Sequence, residues 1–438
     1  MLNFIKKRKL IVFVIAMVFV LIPFSLSQQA ETEKVAVVTS LGLDKQEDKL
    51  LLSANIVVPN SGQAGSGGGT DGTVKTVCVV GEDVSTAFSN LTLLIGKMPG
   101  LAHCDSIIIN KELFEEDVTK YIDFFVRTNN LTSNASIIVA ENDAKTIIET
   151  SAEQKGLRAV SLSEIFLLNN EYSLGEKSNI DYFYLNYFSK PNVAMVPVLN
   201  SGDSKKPDNQ IDSAGLSQES ESQNKLTSQS RSVSGSSGGG EGESENGGES
   251  ASGRAQKIIK NDGKGAIIKN GRLVSILSTE QMRGISLIDK KTKRGHVKIE
   301  NVTGNGFINA DLCFEIFDKT SKKSGVFLGG IPVFNFDIDL VVKLEEVVME
   351  NLTLNNMKSV KNYVTGNIKT ELEKTLEKEI AQVVDVAKTQ NADVLGVYEY
   401  FHKYHTKKWH EFLSGLENPD DYLNHVTFTC NFKIQAKI

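Results

Sequence analysis

Three histidines near the C-terminus are the residues best suited to metal chemistry. His402, His405 and His410 share a nine-residue segment with Trp409, and imidazole nitrogens are common ligands of transition metals. Their spacing matches neither H-x-x-x-H nor H-E-x-x-H. We therefore expect these rings to pack with neighbouring aromatic side chains behind a long helix, and we predict no metal-binding residues.

Asp337 and Asp339 are the best candidates for acid–base catalysis. On a strand, residues two apart share one face. Glycoside hydrolases use such a pair of carboxylates for catalysis. The same pattern is typical of a solvated strand face, which is our prediction here. No Cys/His pair with supporting residues is found in the sequence. We predict a protein that is not an enzyme, with no catalytic or cofactor-binding residues and no cofactor.

Four cysteines are scattered along the chain without any C-x-x-C pair: Cys78, Cys104, Cys313 and Cys430. This spacing indicates neither a zinc ribbon nor a thioredoxin-type redox site. We expect buried small hydrophobic side chains. Disulfides between Cys78 and Cys104 or between Cys313 and Cys430 remain the alternative.

The overall charge argues against a nucleic-acid partner. The net charge is -6 and the isoelectric point is about 5.7, whereas phosphate binding needs a basic face. A Gly/Ser stretch at residues 61–72 lacks the G-K-[ST] ending of a P-loop. We expect this stretch to be a long hairpin loop.

The N-terminus predicts export or membrane anchoring. A basic cluster at residues 6–9 precedes an apolar stretch at residues 10–22, which is the order of a signal peptide or an anchor. The positive-inside rule then places the chain after about residue 28 on the extracytoplasmic side. Residues 10–26 would span about 25 Å as a helix, just short of the hydrocarbon core. Both retention and cleavage before Gln28, with Ser25 and Ser27 at the minus-three and minus-one positions, therefore remain open.

Composition divides the chain into four parts. Residues 1–27 form the signal or membrane anchor, and residues 28–200 form an N-terminal domain with a possible subdomain at 151–200. Residues 201–256 are rich in Ser, Gly and Glu and cannot bury enough apolar surface to fold, so we predict a disordered linker. Residues 257–438 form the C-terminal domain.

Hydrophobic periodicity predicts the elements of both domains. The first half alternates strands and helices in an α/β-like order, beginning with a hairpin that turns at Gly42-Leu43-Asp44-Lys45 and including a helix capped by Asp83. The second half opens with a hairpin around Asn270-Gly271. Three strands, a long helix and a final strand at residues 426–434 follow. The long helix carries an apolar stripe: Val360, Val364, Ile368, Leu372, Leu376 and Ile380.

These elements predict an α+β fold. We expect two or three mixed domains, each a mostly antiparallel sheet with packed helices, and a long helix in the C-terminal domain.

Several motifs carry a family resemblance. They are Lys388-Thr389-Gln390, Asp393-Val394-Leu395-Gly396 and the aromatic and basic stretch to Trp409, preceded in the chain by residues 39–45, 83–112 and 263–277 and by Met282-Arg283-Gly284. In this order they resemble the Ger(x)C family, the C subunits of bacterial spore germinant receptors.

The resemblance implies a function at a membrane. Members of the family lie on the outer face of the spore inner membrane and act with polytopic A and B subunits when nutrients trigger germination. The membrane and these two subunits are therefore the expected partners. We expect no tight, direct binding of a small-molecule nutrient, because no apolar pocket with converging polar groups can be argued from the sequence.

The anchor departs from the family pattern. Members normally begin their mature chain with a lipidated cysteine, whose place falls near Leu26, and none is present here. We expect the hydrophobic leader to replace the lipid. A generic extracytoplasmic solute-binding or adhesion module remains the alternative function, although its two lobes should resemble each other more than these halves do.

Overall fold

The computed structural model describes residues 34–58, 73–127, 131–153, 179–203, 257–350 and 353–438. The leader at 1–27, the Gly/Ser loop at 61–72 and nearly all of the Ser/Gly/Glu-rich segment at 201–256 lie outside these ranges. So do residues 154–178 of the possible subdomain. Among the helices in the described ranges, none combines the length and the apolar composition needed to cross a bilayer.

The first sheet contains ten strands: β1 (Val35–Gln46), β2 (Lys49–Val58), β3 (Thr73–Gly81), β4 (Met98–Gly100), β5 (Ser106–Asn110), β6 (Ser136–Ala140), β7 (Val193–Asp203), β8 (Lys257–Lys260), β9 (Gly265–Lys269) and β10 (Arg272–Leu277). Their order is β10-β9-β7-β6-β5-β1-β2-β3, with β4 beside β1 and β8 beside β7. Strands β1, β5, β6 and β7 run parallel. Strands β5 and β6 are buried at every position, as parallel strands covered on both faces require.

Within the described ranges, four helices cover this sheet: α1 (Val84–Ile95), α2 (Thr119–Arg127), α3 (Ala144–Glu153) and α4 (Ile180–Phe188). Helices α1, α2 and α4 share one core, whereas α3 packs with Ile108 and Ile138 in a separate core. The predicted cap of α1 is confirmed, because the Thr86 amide donates to Asp83 Oδ1 at 2.7 Å. The sheet therefore lies between two helical layers.

The second sheet has four long strands in the order β11 (Gly295–Gly304), β12 (Phe307–Leu328), β13 (Ile331–Val348) and β14 (Thr427–Lys437). Neighbouring strands are antiparallel except β13 and β14, which are parallel. The helices of this half are α5 (Thr279–Ile288), α6 (Leu354–Gly366), α7 (Ile368–Thr389), α8 (Val397–Tyr404) and α9 (Thr406–Ser414). The α+β prediction is confirmed, with a parallel centre in the first sheet and a mainly antiparallel second sheet.

The predicted long helix is present as α7, with 22 residues. The prediction was wrong in extending it back to Val360, because that residue lies on the separate helix α6. Helix α6 ends at Gly366, and Asn367 links it to α7 with φ -118° and ψ -18°. Glycine and asparagine both have low helix propensity, which explains a break at this point. The predicted apolar stripe from Val360 to Ile380 is nevertheless buried in one core.

The first hairpin turns later than expected. Its turn lies at Glu47 and Asp48, and Gly42 to Lys45 are paired strand residues. A Cβ atom on Gly42 would lie 2.9 Å from Ile148 Cγ1 of α3. The glycine thus serves close packing of a helix on the strand rather than a turn.

Strands from beyond the Ser/Gly/Glu-rich segment complete the first sheet. Strands β8 and β9 both pair with β7, and the predicted hairpin around Asn270 and Gly271 is β9–β10. Met195 and Ile267 of this sheet also belong to the core of the second half. The division at 201–256 therefore does not coincide with a boundary between the two sheets.

Candidate interaction surfaces

The three histidines are held by packing and one hydrogen bond. His405 Nε2 lies 2.9 Å from the carbonyl oxygen of Gly325. The ring of His402 stacks on Tyr398 and lies 5.6 Å from the ring of His410. In the described part of the chain, no three His, Cys, Asp or Glu side chains are placed to hold a metal ion together.

Asp337 and Asp339 lie on the solvent-facing side of β13. Asp337 Oδ1 accepts hydrogen bonds from Asn431 Nδ2 at 2.9 Å and from Asn335 Nδ2 at 2.7 Å. The bond from Asn431 is the main cause that lowers the pKa of Asp337. Asp337 is therefore an ionised carboxylate that accepts hydrogen bonds from asparagine side chains on an open strand face. This arrangement matches the predicted solvated face.

All four cysteines are free thiols, so neither alternative disulfide is formed. Cys104 is fully buried, and its burial raises its thiol pKa to about 12. Burial also raises the pKa of Cys430 to about 11. Thiols that stay protonated at neutral pH are poor nucleophiles and poor metal ligands.

The family-like stretch at residues 39–45, which contains Leu41-Gly42-Leu43-Asp44-Lys45, positions a helix. Asp44 accepts hydrogen bonds from the amides of Ala144 and Lys145, both at 2.7 Å, and from Asn110 Nδ2 at 3.0 Å. Burial is the main cause that raises the pKa of this carboxyl. Asp44 thus caps the N-terminus of α3 from a distant strand, where a carboxylate is favoured by the helix dipole.

The D-V-L-G motif does the same for α8. Asp393 Oδ1 accepts from the amides of Gly396 and Val397, at 2.8 and 3.0 Å. Its Oδ2 accepts from the Tyr398 amide at 2.7 Å and from the Tyr422 hydroxyl at 2.8 Å. Gly396 has a φ of 78°, which glycine adopts without strain. The motif therefore shapes the loop between α7 and α8.

Met282-Arg283-Gly284 docks α5 on α7. Arg283 Nε donates to Glu379 Oε1 at 3.1 Å, and the Glu379 side chain is only 6% exposed. Burial raises the pKa of Glu379, and the bond from Arg283 opposes this effect. A Cβ on Gly284 would lie 2.6 Å from the Glu379 carbonyl oxygen. The glycine lets the two helices approach, and the ion pair fixes their register.

Lys319 supports the other end of α5, and no sequence signal pointed to it. Its Nζ donates to the carbonyl oxygens of Asp289 at 2.6 Å and Leu287 at 3.2 Å, and also to that of Ser286. Burial lowers the pKa of Lys319 to about 8. A lysine directed at the last carbonyls of a helix compensates for their missing intrahelical donors.

A cleft of about 290 Å³ lies between the first sheet and the second half of the chain. Lys269 Nζ enters its wall and donates to the Asn391 carbonyl oxygen at 2.6 Å. Asp420 and Tyr398 also line the cleft. These residues come from three separate regions of the sequence, so only the tertiary fold brings them together.

Helix α4 presents an apolar outer face. Leu185 is 72% exposed and Phe188 is 76% exposed, and with Tyr184 they border a shallow hollow. The helix is fixed in place because the Tyr187 hydroxyl donates to Asp117 Oδ2 at 2.9 Å. The sequence is rich in Tyr and Phe at residues 182–188, but only the fold shows which of these side chains face outward.

Two family models match the chain. The model described as "Spore germination protein N-terminal domain" matches residues 28–201. The model described as "Spore germination B3/ GerAC like, C-terminal" matches residues 263–437. Together they account for most of the sequence in the expected order.

One relative and one solved structure are also similar. The Bacillus subtilis (strain 168) protein YfkR, named as a spore germination protein, is 25% identical over 145 residues, which are 32% of this chain and 38% of YfkR. The chain thus matches well under half of that relative's length. The crystal structure of the GerBC protein aligns with 17% identity and a TM-score of 0.45 over 91% of this chain and 96% of the other.

The two family matches agree with the motifs that suggested a resemblance, which lie in the same two regions. The chain belongs to the Ger(x)C family of spore germination proteins, represented by the GerAC N-terminal and C-terminal domains.

Proposed function

We propose that the protein is a non-enzymatic, membrane-associated subunit of a nutrient germinant receptor and works through contacts with polytopic A and B subunits. The observation that carries the proposal is the match of both family models, in order, across the two halves of the chain. The protein would stand on the extracytoplasmic face of the membrane, held by the leader in place of a lipidated cysteine.

The geometry of the motif residues supports a scaffold. Asp44, Asp393 and Arg283 all form hydrogen bonds within the fold. Asp44 and Asp393 bind helix ends, and Arg283 joins two helices. They are therefore occupied in shaping the molecule. Partner contacts would then fall on the outer surface, and the apolar face of α4 is the surface that we assign to a partner subunit.

A co-purification experiment tests this assignment. The tagged full-length chain would be expressed with polytopic A and B subunits from the same organism, and complexes would be captured from detergent-solubilised membranes. The double substitution Leu185→Ser and Phe188→Ser should reduce capture at least about tenfold, because two apolar anchors are lost.

Leu354→Ser provides the matched control, since Leu354 is 91% exposed on α6. This variant should capture the partners as well as the wild type does. Equal capture by the α4 variant would reject α4 as the contact surface, and no capture by the wild type would reject the receptor-subunit proposal.

Binding of a small polar solute is a second candidate function, favoured by the cleft at Lys269. A lysine, a carboxylate from Asp420 and aromatic walls could hold a polar molecule. Calorimetry with residues 28–438 and a panel of amino acids and sugars separates the two functions. The receptor-scaffold proposal expects no stoichiometric heat, whereas saturable heat that disappears in Lys269→Ala would establish solute binding.

A further inference from the structure

The hairpin formed by β12 and β13 ends in an uncharged apolar tip. Residues 324–336 contain no charged side chain, although charged residues recur along the rest of both strands. At the tip, Leu328 is 62% exposed and Ile331 is 53% exposed, with Val326 nearly half exposed. Exposed apolar side chains grouped at one projecting point indicate a contact with another surface.

The base of the tip packs against α8 and α9. The ring of Phe327 lies 5.2 Å from that of Phe401 and 6.3 Å from that of Phe412. His405 Nε2 lies 2.9 Å from the Gly325 carbonyl oxygen and ties the corner between α8 and α9 to the hairpin. The tip itself turns through Gly329 and Gly330, both at positive φ, with open space around them.

The same corner carries a group of exposed lysines. Lys403, Lys407 and Lys408 are exposed, and Tyr404 beside them is 61% exposed. Glu399 on α8 and Glu411 on α9 are the exposed acidic residues of the two helices, so the three lysines remain in excess. The chain as a whole has a net charge of -6, so this surface is positively charged on a protein that is negative overall.

We propose that the tip and the lysine corner form a site that binds the surface of a bilayer containing anionic phospholipid. A small convex tip can enter the interfacial region of a bilayer, where Leu and Ile leave water. The lysines beside it would then face negative lipid headgroups. Apolar insertion next to basic side chains is the chemistry that peripheral proteins use to bind such membranes.

This site would be a second membrane contact, separate from the leader. It goes beyond the receptor function proposed above, because it requires neither the leader nor the polytopic subunits. It would set the orientation of the protein, since the tip lies at the far end of β12 and β13 from α6.

Vesicle flotation tests the site with the chain from residue 28 to 438. The protein should float with equimolar phosphatidylcholine–phosphatidylglycerol vesicles and weakly with phosphatidylcholine alone. Raising the salt from about 0.1 M to about 0.5 M should weaken binding, because the lysine contribution is screened. Leu328→Ser with Ile331→Ser should reduce binding at least about tenfold.

Charge reversal separates the lysines from the tip. Lys407→Glu with Lys408→Glu should reduce binding to the anionic vesicles and remove its salt dependence. Lys358→Glu with Lys361→Glu makes the same change in net charge on the exposed face of α6 and should bind like the wild type. Leu354→Ser is the matched control for the tip variant, and thermal melts would show that all variants are folded.

Three results would overturn the proposal. They are no flotation of the wild type, undiminished binding of the folded tip variant, and a wild-type dimer that becomes a monomer in the tip variant. The last result would make the tip a self-association surface. A negative flotation result would not affect the co-purification experiment, so the membrane-binding site and the receptor-subunit function are tested independently.

Discussion

Arg283 neutralises a carboxylate that the fold buries almost completely. Glu379 lies on α7 with its Oε1 bonded to Arg283, while its Oε2 is buried without a protein partner among the described residues. An ionised carboxylate in such a place is unfavourable unless a counter-charge stays close. The consequence is a pH-dependent stability that depends on one arginine.

Arg283→Ala should destabilise the protein by about 2 kcal/mol at pH 7, because it leaves a buried charge without its partner. The pKa of Glu379 is already raised by burial, so the folded state binds this proton more tightly than the unfolded state does. The stability contributed by this group is therefore present below the unfolded pKa and is lost as pH rises through the folded pKa. Without Arg283 the pKa rises further, and the variant should be closest to the wild type at acidic pH.

Urea unfolding at pH 7 and pH 4 measures both the destabilisation caused by Arg283→Ala and its dependence on pH. Lys374→Ala is the control, because its pair with Glu371 is exposed on the same helix and should hardly affect stability. An Arg283→Ala penalty that is equal at both pH values would refute the account of the buried charge.

For individual helices and turns, a prediction from the sequence succeeded when the residues that determine the structure lie close together in the chain. The Asp83 cap and the Asn270-Gly271 turn lie within a few residues of the backbone they control, and both were predicted correctly. The break after Gly366 was missed because the apolar stripe continues across it. The role of Asp44 was also missed, because its partner amides lie about one hundred residues away in sequence. The sequence shows the motifs themselves, but it does not show which helix ends their side chains bind.

Helix α5 offers a test of element packing at a single glycine. Alanine normally stabilises a helix relative to glycine, yet Gly284→Ala should destabilise the protein by about 2 kcal/mol. The added Cβ would lie 2.6 Å from the Glu379 carbonyl oxygen and 2.8 Å from Val383 Cγ2. Backbone atoms of α7 would have to move.

Gly366→Ala is the matched control, since no atom lies within 4 Å of a Cβ at that helical position. Its melting temperature should be unchanged or slightly higher. If both alanine variants melt alike, then close contact between α5 and α7 does not limit stability.

At the scale of the whole molecule, the two halves are joined through one sheet. Ala266 and Ile268 of β9 are buried in the first core, whereas Ile267 between them faces the second core. Each face of this strand therefore belongs to a different half. Composition alone suggested independent domains on either side of residues 201–256, because it cannot show that a strand returns to an earlier sheet.

Residues 28–203 expressed alone should lack a cooperative thermal transition, because the β7 edge and the first core lose β8–β10. Co-expression with residues 257–438 as a second chain should restore the sheet, and the two pieces should co-elute and melt together. Size-exclusion chromatography and circular dichroism would show this. A cooperative melt of the first piece alone would contradict the shared sheet.

The late position of β9 and β10 in the chain also sets an order of events during synthesis. These strands are synthesised only after the long Ser/Gly/Glu-rich segment, so the first sheet stays incomplete until residue 277 has left the ribosome. A ribosome-bound chain shorter than this would expose the open edge of β7 to chaperones and proteases. The lengths of chain protected from protease during synthesis should therefore increase abruptly near that residue.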